Sequence, residues 1–169
     1  MSDILNLENK QRSGLLAAIL IGAGPVLAAA ILGNVATIPN IPGWYAGIVK
    51  PSFNPPNWVF GPVWTTLYVM MAYAFFRVLH TPAAPQQRRA AITAFLVQIA
   101  LNAAWSWAFF WAHSPLGGVI VIVPLLLAIA ATIRLFAPID RIAAWLLAPY
   151  FAWVSFASVL TTAVYWLNR

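Results

Sequence analysis

The sequence predicts an all-α integral membrane protein, folded as a single domain over residues 1–169 and built from five transmembrane helices. Hydrophobic residues make up 63% of the chain and charged residues only 7%, whereas soluble domains carry roughly 25% charged residues. The apolar residues are grouped into five stretches, each close to the length of about 20 residues that crosses the hydrocarbon layer. Residues that interrupt helices separate these stretches.

The predicted helices span residues 14–36, 58–79, 90–112, 116–136 and 142–166. The breaks between them lie at 37–57, 81–85, 113–115 and 138–140. Only the first break is long, so consecutive helices are expected to be antiparallel neighbours in a tight bundle. An odd number of crossings places the two termini on opposite sides of the membrane.

The first span has a start that resembles a signal peptide. Lys10 and Arg12 precede the apolar run, and the alanines at 28–30 resemble a cleavage site. The run continues to Ala36, however, which is longer than the signal-peptide core of about 7–15 residues. We therefore expect a transmembrane helix here.

The long first break leads into the aromatic start of the second span. Pro55 and Pro56 fix φ and lack amide donors, so a regular helix is not expected before Trp58. From there the helical period takes over, with Trp64 and Tyr68 one turn apart.

The third span combines amides and aromatic rings on one face. This face is formed, at helical spacing, by Gln98, Asn102, Trp105 and Phe109. Amides in hydrocarbon are costly unless they are hydrogen-bonded, so the face is expected to point into the bundle or a cavity. Two interpretations stay open, namely hydrogen bonding between helices and contact with a ligand.

The fourth span carries no ionisable side chain from 116 to 133, and the fifth alternates small and aromatic residues on one face. That face comprises Pro149, Trp153, Ala157 and Thr161, with Tyr150 beside it. Small residues permit close helix approach, and large rings beside them leave a shaped apolar gap. If the faces of the second, third and fifth spans converge, they form a pocket for a large, flat ligand.

The basic residues indicate how the chain is oriented. Seven of the nine fall on the side of the N-terminus and only Lys50 and Arg169 on the other. In a bacterial cell membrane, the positive-inside rule then places the N-terminus in the cytoplasm. The basic residues form no run longer than two, so no nucleic-acid partner is expected.

Several kinds of chemistry are disfavoured by the residues present. The chain has no cysteine, so it has no disulfide or thiolate chemistry. His80 and His113 fall on opposite sides of the predicted membrane, which excludes a shared metal site or a hydrolytic triad. A proton-coupled pump requires ionisable side chains within the membrane. The first span has none from 15 to 35 and the fourth has none from 116 to 133, so a pump is disfavoured.

Five short motifs together resemble the TspO family of tryptophan-rich sensory proteins, which includes the translocator protein once called the peripheral benzodiazepine receptor. The resemblance covers about residues 14–168. The motifs are Trp44-Tyr45, Lys50-Pro51, Asn54-Pro55-Pro56-x-Trp58-x-Phe60-Gly61-Pro62-x-Trp64, Gln98-x3-Asn102-x2-Trp105-Ser106 and Trp145-x3-Pro149-Tyr150-x2-Trp153.

The resemblance implies a receptor or sensor whose five helices enclose a pocket beneath the 37–57 loop. Its ligands would be porphyrins, haem-related tetrapyrroles and other hydrophobic molecules, with no metal and no required cofactor. The candidate ligand-binding residues are Trp64, Tyr68, Gln98, Asn102, Trp105, Phe109, Tyr150, Trp153, Ala157 and Thr161. The candidate lid residues are Trp44, Pro51, Asn54, Pro55, Pro56 and Trp58.

The resemblance leaves two alternatives to a receptor. One is light- and oxygen-dependent porphyrin degradation, for which Trp64 and Trp153 are the candidate reactive residues, and the other is transport of porphyrin or sterol-like ligands. A loose sterol motif ends at Arg169. Family members commonly form homodimers, and the small residues at 22–24 and 28–30 suit contact between two chains or within one.

The sequence also departs from the family pattern. Phe53 stands where members commonly have Trp, Val121 where some have an acid, and Thr161 and Thr162 where Asn-Tyr is usual. Trp107 stands where Pro usually follows the Trp-Ser pair, so we expect the third helix to lack the kink that this proline causes.

Overall fold

The protein folds into a bundle of α-helices. The structure is a computed structural model that describes the backbone of residues 2–169 and the side chains of residues 20–169. The predictions that rest on Lys10 and Arg12 lie outside the described side chains. The α-helices are α1 (Ser2–Thr37), α2 (Asn57–His80), α3 (Pro85–Ser106), α4 (Pro115–Phe136), α5 (Arg141–Leu146) and α6 (Ala148–Leu167).

Within the described residues, five helical segments are long and apolar enough to cross a membrane. They are Leu20–Tyr45, Asn57–His80, Pro85–Trp111, Pro115–Phe136 and Arg141–Leu167. The prediction of an all-α bundle of five membrane-spanning helices is therefore confirmed.

The first span is longer than its predicted end at residue 36. Beyond α1 the chain continues through a 3-10 helix, Ile38–Asn40, and a π-helix, Ile41–Tyr45. Pro39 and Pro42 each lie in the first turn of one of these segments, where a missing amide donor costs least. The 37–57 segment is consequently a loop only from 48 to 56.

The third span is irregular at its end, although Trp107 stands there in place of the usual proline. After α3 the helix widens into a π-helix, Trp107–Trp111, in which the Ala112 N–H donates to the Trp107 carbonyl at 2.9 Å. π-turns are a recognised cause of helix bending. The loss of proline at this position therefore does not produce a regular helix.

The fifth span is divided into α5 and α6. The Asp140 side chain caps α5 by accepting from the Ile142 and Ala143 amides at 2.9 and 3.1 Å. Pro149 lies in the first turn of α6, where it lacks the amide that would have continued the α5 hydrogen-bond pattern. The break separates a short helix packed on α2 from a long one packed on α4.

The core is densest at the end of the bundle where α2 ends and α3 begins. Phe95 stacks on Phe75 with ring centroids 4.2 Å apart, and on Phe136 at 5.9 Å. Arg77 donates to Asp140 through Nε and Nη2, both at 2.8 Å. We call this region, formed by the three phenylalanines and the ion pair, the closed end.

Candidate ligand cavity

A cavity of about 430 Å³ lies at the opposite end of the bundle, and none of the residues of the 48–56 loop lines it. It is walled by α1 with its 3-10 and π extensions, by α2, by α3 with its π-helix, and by α6. Its lining residues are Gly33, Asn34, Thr37, Ile38, Ile41, Tyr45, Asn57, Phe60, Gly61, Trp64, Thr65, Tyr68, Asn102, Trp105, Ser106, Phe109, Phe110, Trp153, Ala157, Leu160, Thr161 and Val164.

The α2 wall is a strip of aromatic rings. Phe60, Trp64 and Tyr68 are one helical turn apart, so their side chains follow one another down the same face. The Trp64 ring lies 5.4 Å from the Tyr68 ring. Thr65 also lines the cavity, but its hydroxyl donates to the Gly61 carbonyl at 2.9 Å. The wall therefore presents mainly apolar surface to a ligand.

The deep end of the cavity is closed by a hydrogen-bonded group of three side chains. The Tyr68 hydroxyl donates to Asn102 Oδ1 at 3.1 Å, and Asn102 Nδ2 donates to the Tyr150 hydroxyl at 3.1 Å. Asn102 and Tyr150 are buried. A buried amide that satisfies both of its ends in this way holds α2, α3 and α6 in a fixed relation.

The α3 wall depends on the π-helix. Trp105 stacks on Phe109 with ring centroids 5.2 Å apart and an interplanar angle of 10°. Phe109 and Phe110 both line the cavity, although neighbouring residues of a regular α-helix point about 100° apart. Other neighbouring pairs, such as Trp64 and Thr65 in α2, line the cavity in the same way.

The α6 wall alternates large and small residues. Trp153 packs edge-on against Phe60 of α2, with ring centroids 5.8 Å apart. Ala157 and Thr161 follow it toward the C-terminus, one turn at a time. The small side chain of Ala157 leaves space between the larger groups, and this space is part of the cavity.

The start of the 48–56 loop is attached to α6 through Asn168. Its Oδ1 accepts from the Val49 amide at 2.9 Å, and its Nδ2 donates to the Val49 carbonyl at 2.8 Å. Near the cavity, the Tyr45 hydroxyl donates to Asn54 Oδ1 at 3.1 Å, while the Lys50 ammonium lies 4.7 Å from the Tyr45 ring centroid. These contacts attach the loop to the end of α6 and to Tyr45, which is a residue of the cavity wall.

Comparison with known proteins identifies the family. The family model for the TspO/MBR family matches residues 22–167, which is most of the chain. The chain belongs to the TspO/MBR family.

Relatives of this TspO/MBR protein occur in bacteria and animals. The tryptophan-rich protein TspO of Chlorobaculum tepidum is 41% identical over 86% of this chain and 92% of the relative. Protein CrtK of Rhodobacter capsulatus is 35% identical over 84% of this chain and 89% of the relative. The human translocator protein is 37% identical over 72% of this chain and 73% of the relative.

The structure of this TspO/MBR protein places most of the predicted ligand-binding residues around one space. Eight of the ten line the cavity, whereas Tyr150 and Gln98 do not. Tyr150 lies behind the lining as the partner of Asn102. Gln98 is buried one turn below Asn102, and its amide atoms have no hydrogen-bond partner among the described side chains and backbone.

None of the six predicted lid residues lines the cavity. Trp44 packs against Phe109 and stacks on His113, with ring centroids 5.3 and 5.0 Å away, and Asn54 accepts from Tyr45. Trp58 is 76% exposed and points away from the bundle. Pro51, Pro55 and Pro56 shape the loop backbone.

The α1 wall is the part of the TspO/MBR cavity that the sequence analysis missed. Asn34, Thr37, Ile41 and Tyr45 line it at intervals of three or four residues. Two polar residues at helical spacing within an apolar span are the signal that marks this face.

The cavity of this TspO/MBR protein is suited to binding by stacking and hydrogen bonds. Among its lining side chains there is no Asp, Glu, His, Lys or Arg. Over the described residues, no three metal-ligating side chains cluster. The polar atoms it offers come from Asn, Ser, Thr, Tyr and Trp, which fix the orientation of a ligand without adding charge.

Proposed function

We propose that this TspO/MBR membrane protein is a receptor or sensor that binds porphyrins or related tetrapyrroles in the cavity. The observation that carries the proposal is the enclosure of one apolar space by three tryptophans. Trp64, Trp105 and Trp153 come from three different helices and line the same cavity. Rings presented from several sides favour a ligand with extended flat faces.

The size and polarity of the cavity support the same ligand class. Its volume of about 430 Å³ lies within the usual range for small-molecule sites, roughly 300–1,000 Å³. Its few polar groups suit a mainly hydrophobic molecule with a small number of acceptors or donors. A sensory role is also consistent with a relative from Cereibacter sphaeroides, which is named a tryptophan-rich sensory protein.

Tryptophan fluorescence tests this proposal directly. Titration of the purified protein with protoporphyrin should give saturable quenching, and Trp153→Ala should raise the Kd about tenfold or more by removing one stacking wall. The matched control is Trp145→Ala, because Trp145 is 75% exposed and lies outside the cavity. Absence of saturable quenching, or equal Kd values for the two variants, contradicts the proposal.

A second function, porphyrin degradation driven by light and oxygen, is favoured by the location of Trp64 and Trp153 on one cavity. Both rings would then lie within reach of one bound macrocycle. Illumination of the complex in air should bleach the porphyrin absorbance to a new pigment. The double variant Trp64→Phe/Trp153→Phe should bleach more slowly than a Trp145→Phe control, and equal rates exclude a role for these two rings.

Transport of porphyrin or sterol-like ligands is the third function to be tested. The human relative is named a translocator protein, which motivates the experiment. Flux of protoporphyrin into liposomes that contain the protein, above that into empty liposomes, would support transport. Saturable binding without such flux would support the receptor instead.

We further propose a bacterial cell membrane location with a cytoplasmic N-terminus, and a homodimer. The orientation rests on the excess of basic residues on one side. For the dimer, Gly22 is occupied within the chain, because an added Cβ would lie 3.1 Å from Phe76 Cβ. Gly24 has no atom within 4 Å of such a Cβ and is the better candidate for contact with a second copy.

A further inference from the structure

Gly118 lies in the first turn of α4, a helix that contributes no residue to the cavity lining. A Cβ placed on Gly118 would lie 2.7 Å from Phe109 Cδ2 and 3.0 Å from Thr161 Cγ2. Separations this short are below normal carbon contacts of about 3.5–4.0 Å. The absence of a side chain at Gly118 is therefore required by the observed packing.

Both side chains that touch this position belong to the cavity wall. Phe109 comes from the π-helix after α3 and Thr161 from α6, and each presents another part of its surface to the cavity. Gly118 thus lies directly behind the wall where α4 packs against both neighbours. The α4 backbone at Gly118 packs directly behind Phe109 and Thr161 and supports both side chains.

Neither Phe109 nor Thr161 can easily change its side-chain conformation. Phe109 is 3% exposed, is stacked on Trp105 and meets the Trp44 ring edge-on at 5.3 Å. Thr161 is β-branched, which restricts its χ1 rotamers in a helix, and it is also buried. A methyl group at Gly118 would therefore displace the wall toward the open side, which is the cavity.

We propose that Gly118 is a specificity-determining residue that sets the width of the cavity from behind. Its lack of a side chain lets Phe109 and Thr161 sit back far enough for a large, flat ligand. This inference rests on the proposed ligand-binding function for its biological meaning. Its structural content, that a methyl group at Gly118 narrows the cavity, can be tested without any ligand.

The chain contains no cysteine, so a single introduced thiol reports on the cavity. We would place it by Ala157→Cys, on the wall opposite α2, and measure the reaction rates of a small and a bulky aromatic methanethiosulfonate reagent. Adding Gly118→Ala should slow the bulky reagent at least fivefold and change the small one by less than twofold. Equal effects on both reagents, or none, would overturn the proposal.

The matched control is Gly43→Ala, which makes the same substitution within the π-helix Ile41–Tyr45, at a position outside the cavity lining where the new Cβ has no atom within 4 Å. It should leave both rates unchanged. Phe109→Ala removes Cδ2, the atom closest to the added Cβ, so Gly118→Ala should slow the bulky reagent less in a Phe109→Ala background than in the presence of Phe109. A structural defect elsewhere in α4 would not be repaired in this way.

A ligand pair then connects the width to binding. Gly118→Ala should raise the Kd for protoporphyrin at least tenfold and change the Kd for a dipyrrin, which is half of the macrocycle, by less than twofold. If the wild type binds no protoporphyrin, the proposed function fails while the thiol rates still decide the role of Gly118. If Gly118→Ala does not fold, Thr161→Ser tests a widening of the cavity instead, because serine lacks the Cγ2 methyl group that packs against Gly118. Unchanged bulky-reagent access in that variant overturns the proposal.

Discussion

The closed end and the cavity end use the same kinds of aromatic side chain for different purposes. At the closed end, Phe75 and Phe95 stack on each other and fill the space between helices. At the cavity end, Trp64 and Trp153 pack by their edges against neighbours and leave their other surfaces bordering open space. The difference shows that an aromatic-rich helix face does not by itself specify either a core or a binding site.

The two ends differ in the residues that surround the aromatic rings. At the closed end, Ala74, Ala91 and Ala143 are wholly buried, so the helices approach closely and the rings meet one another. At the cavity end, Asn102 joins the helices through hydrogen bonds to two tyrosine hydroxyls. These polar contacts join the helices at the base of the cavity without filling the space above it. The first end should therefore govern stability and the second ligand binding.

The largest expected effect on stability comes from Phe95→Ala at the closed end. Phe95 is fully buried between two rings, so truncation leaves a large void. In a membrane the unfolded helix also keeps this side chain in an apolar medium, so the cavity term dominates and we expect a loss of about 2 kcal/mol. The free energy of unfolding in mixed detergent micelles measures this loss.

Two further variants test whether the stability loss of Phe95→Ala is specific to the closed end. Leu96→Ala changes a neighbour that is 43% exposed and should cost far less. Trp153→Ala, at the cavity end, should weaken ligand binding while lowering the unfolding free energy less than Phe95→Ala. A larger stability loss from Trp153→Ala would contradict the division between the two ends.

The ion pair at the closed end should make stability depend on pH. Burial raises the pKa of the Asp140 carboxyl, but hydrogen bonds from the Ala143 amide and Arg77 outweigh it, so its pKa lies below the ordinary value of 3.8. The carboxylate therefore contributes stability that is present above about pH 4 and is lost as the pH falls through the folded-state pKa. Unfolding free energies between pH 6 and pH 2 measure this loss.

Asp140→Asn should remove that dependence and cost about 1–2 kcal/mol at pH 6, because it keeps the capping oxygen of α5 but removes the charge that pairs with Arg77. The figure is modest because the Arg77 side chain is 28% exposed and remains hydrated in the variant. The chain has only two other acids, Asp3 and Glu8. Their double substitution to Asn and Gln is the control and should retain the loss of stability below pH 4.

The sequence was sufficient to predict the spans and eight of the 22 residues that line the cavity, because both follow from long regular patterns. Hydropathy is summed over about 20 residues per helix, so single exceptions do not hide it. The face of α6 with Trp153, Ala157 and Thr161 keeps the α-helical period, and all three line the cavity. Regular geometry is the condition under which such predictions succeed.

The features that escaped prediction are those where this regularity ends. Pro39 and Pro42 suggested a loop, yet 3-10 and π turns accommodate them and extend the first span. The π-helix after α3 was not predicted, and its Phe110 lines the cavity beside Phe109. The position of Gln98 below the cavity depends on how deep the cavity reaches, and this is decided by packing between helices.

The smallest expected effect concerns the 48–56 loop, which is attached to the end of α6 through Asn168. Asn168→Leu removes both hydrogen bonds to Val49, and these bonds are exposed, so their net loss is about 1 kcal/mol in total. Local opening should become about fivefold more frequent, which hydrogen exchange at the Val49 amide measures, with a similar rise in the protoporphyrin dissociation rate. Asn168→Asp keeps the acceptor for the Val49 amide and loses the donor, so its effect should be intermediate. Unchanged exchange at Val49 in Asn168→Leu would show that other contacts hold the loop, and the stability of the closed end should be the same in all three proteins.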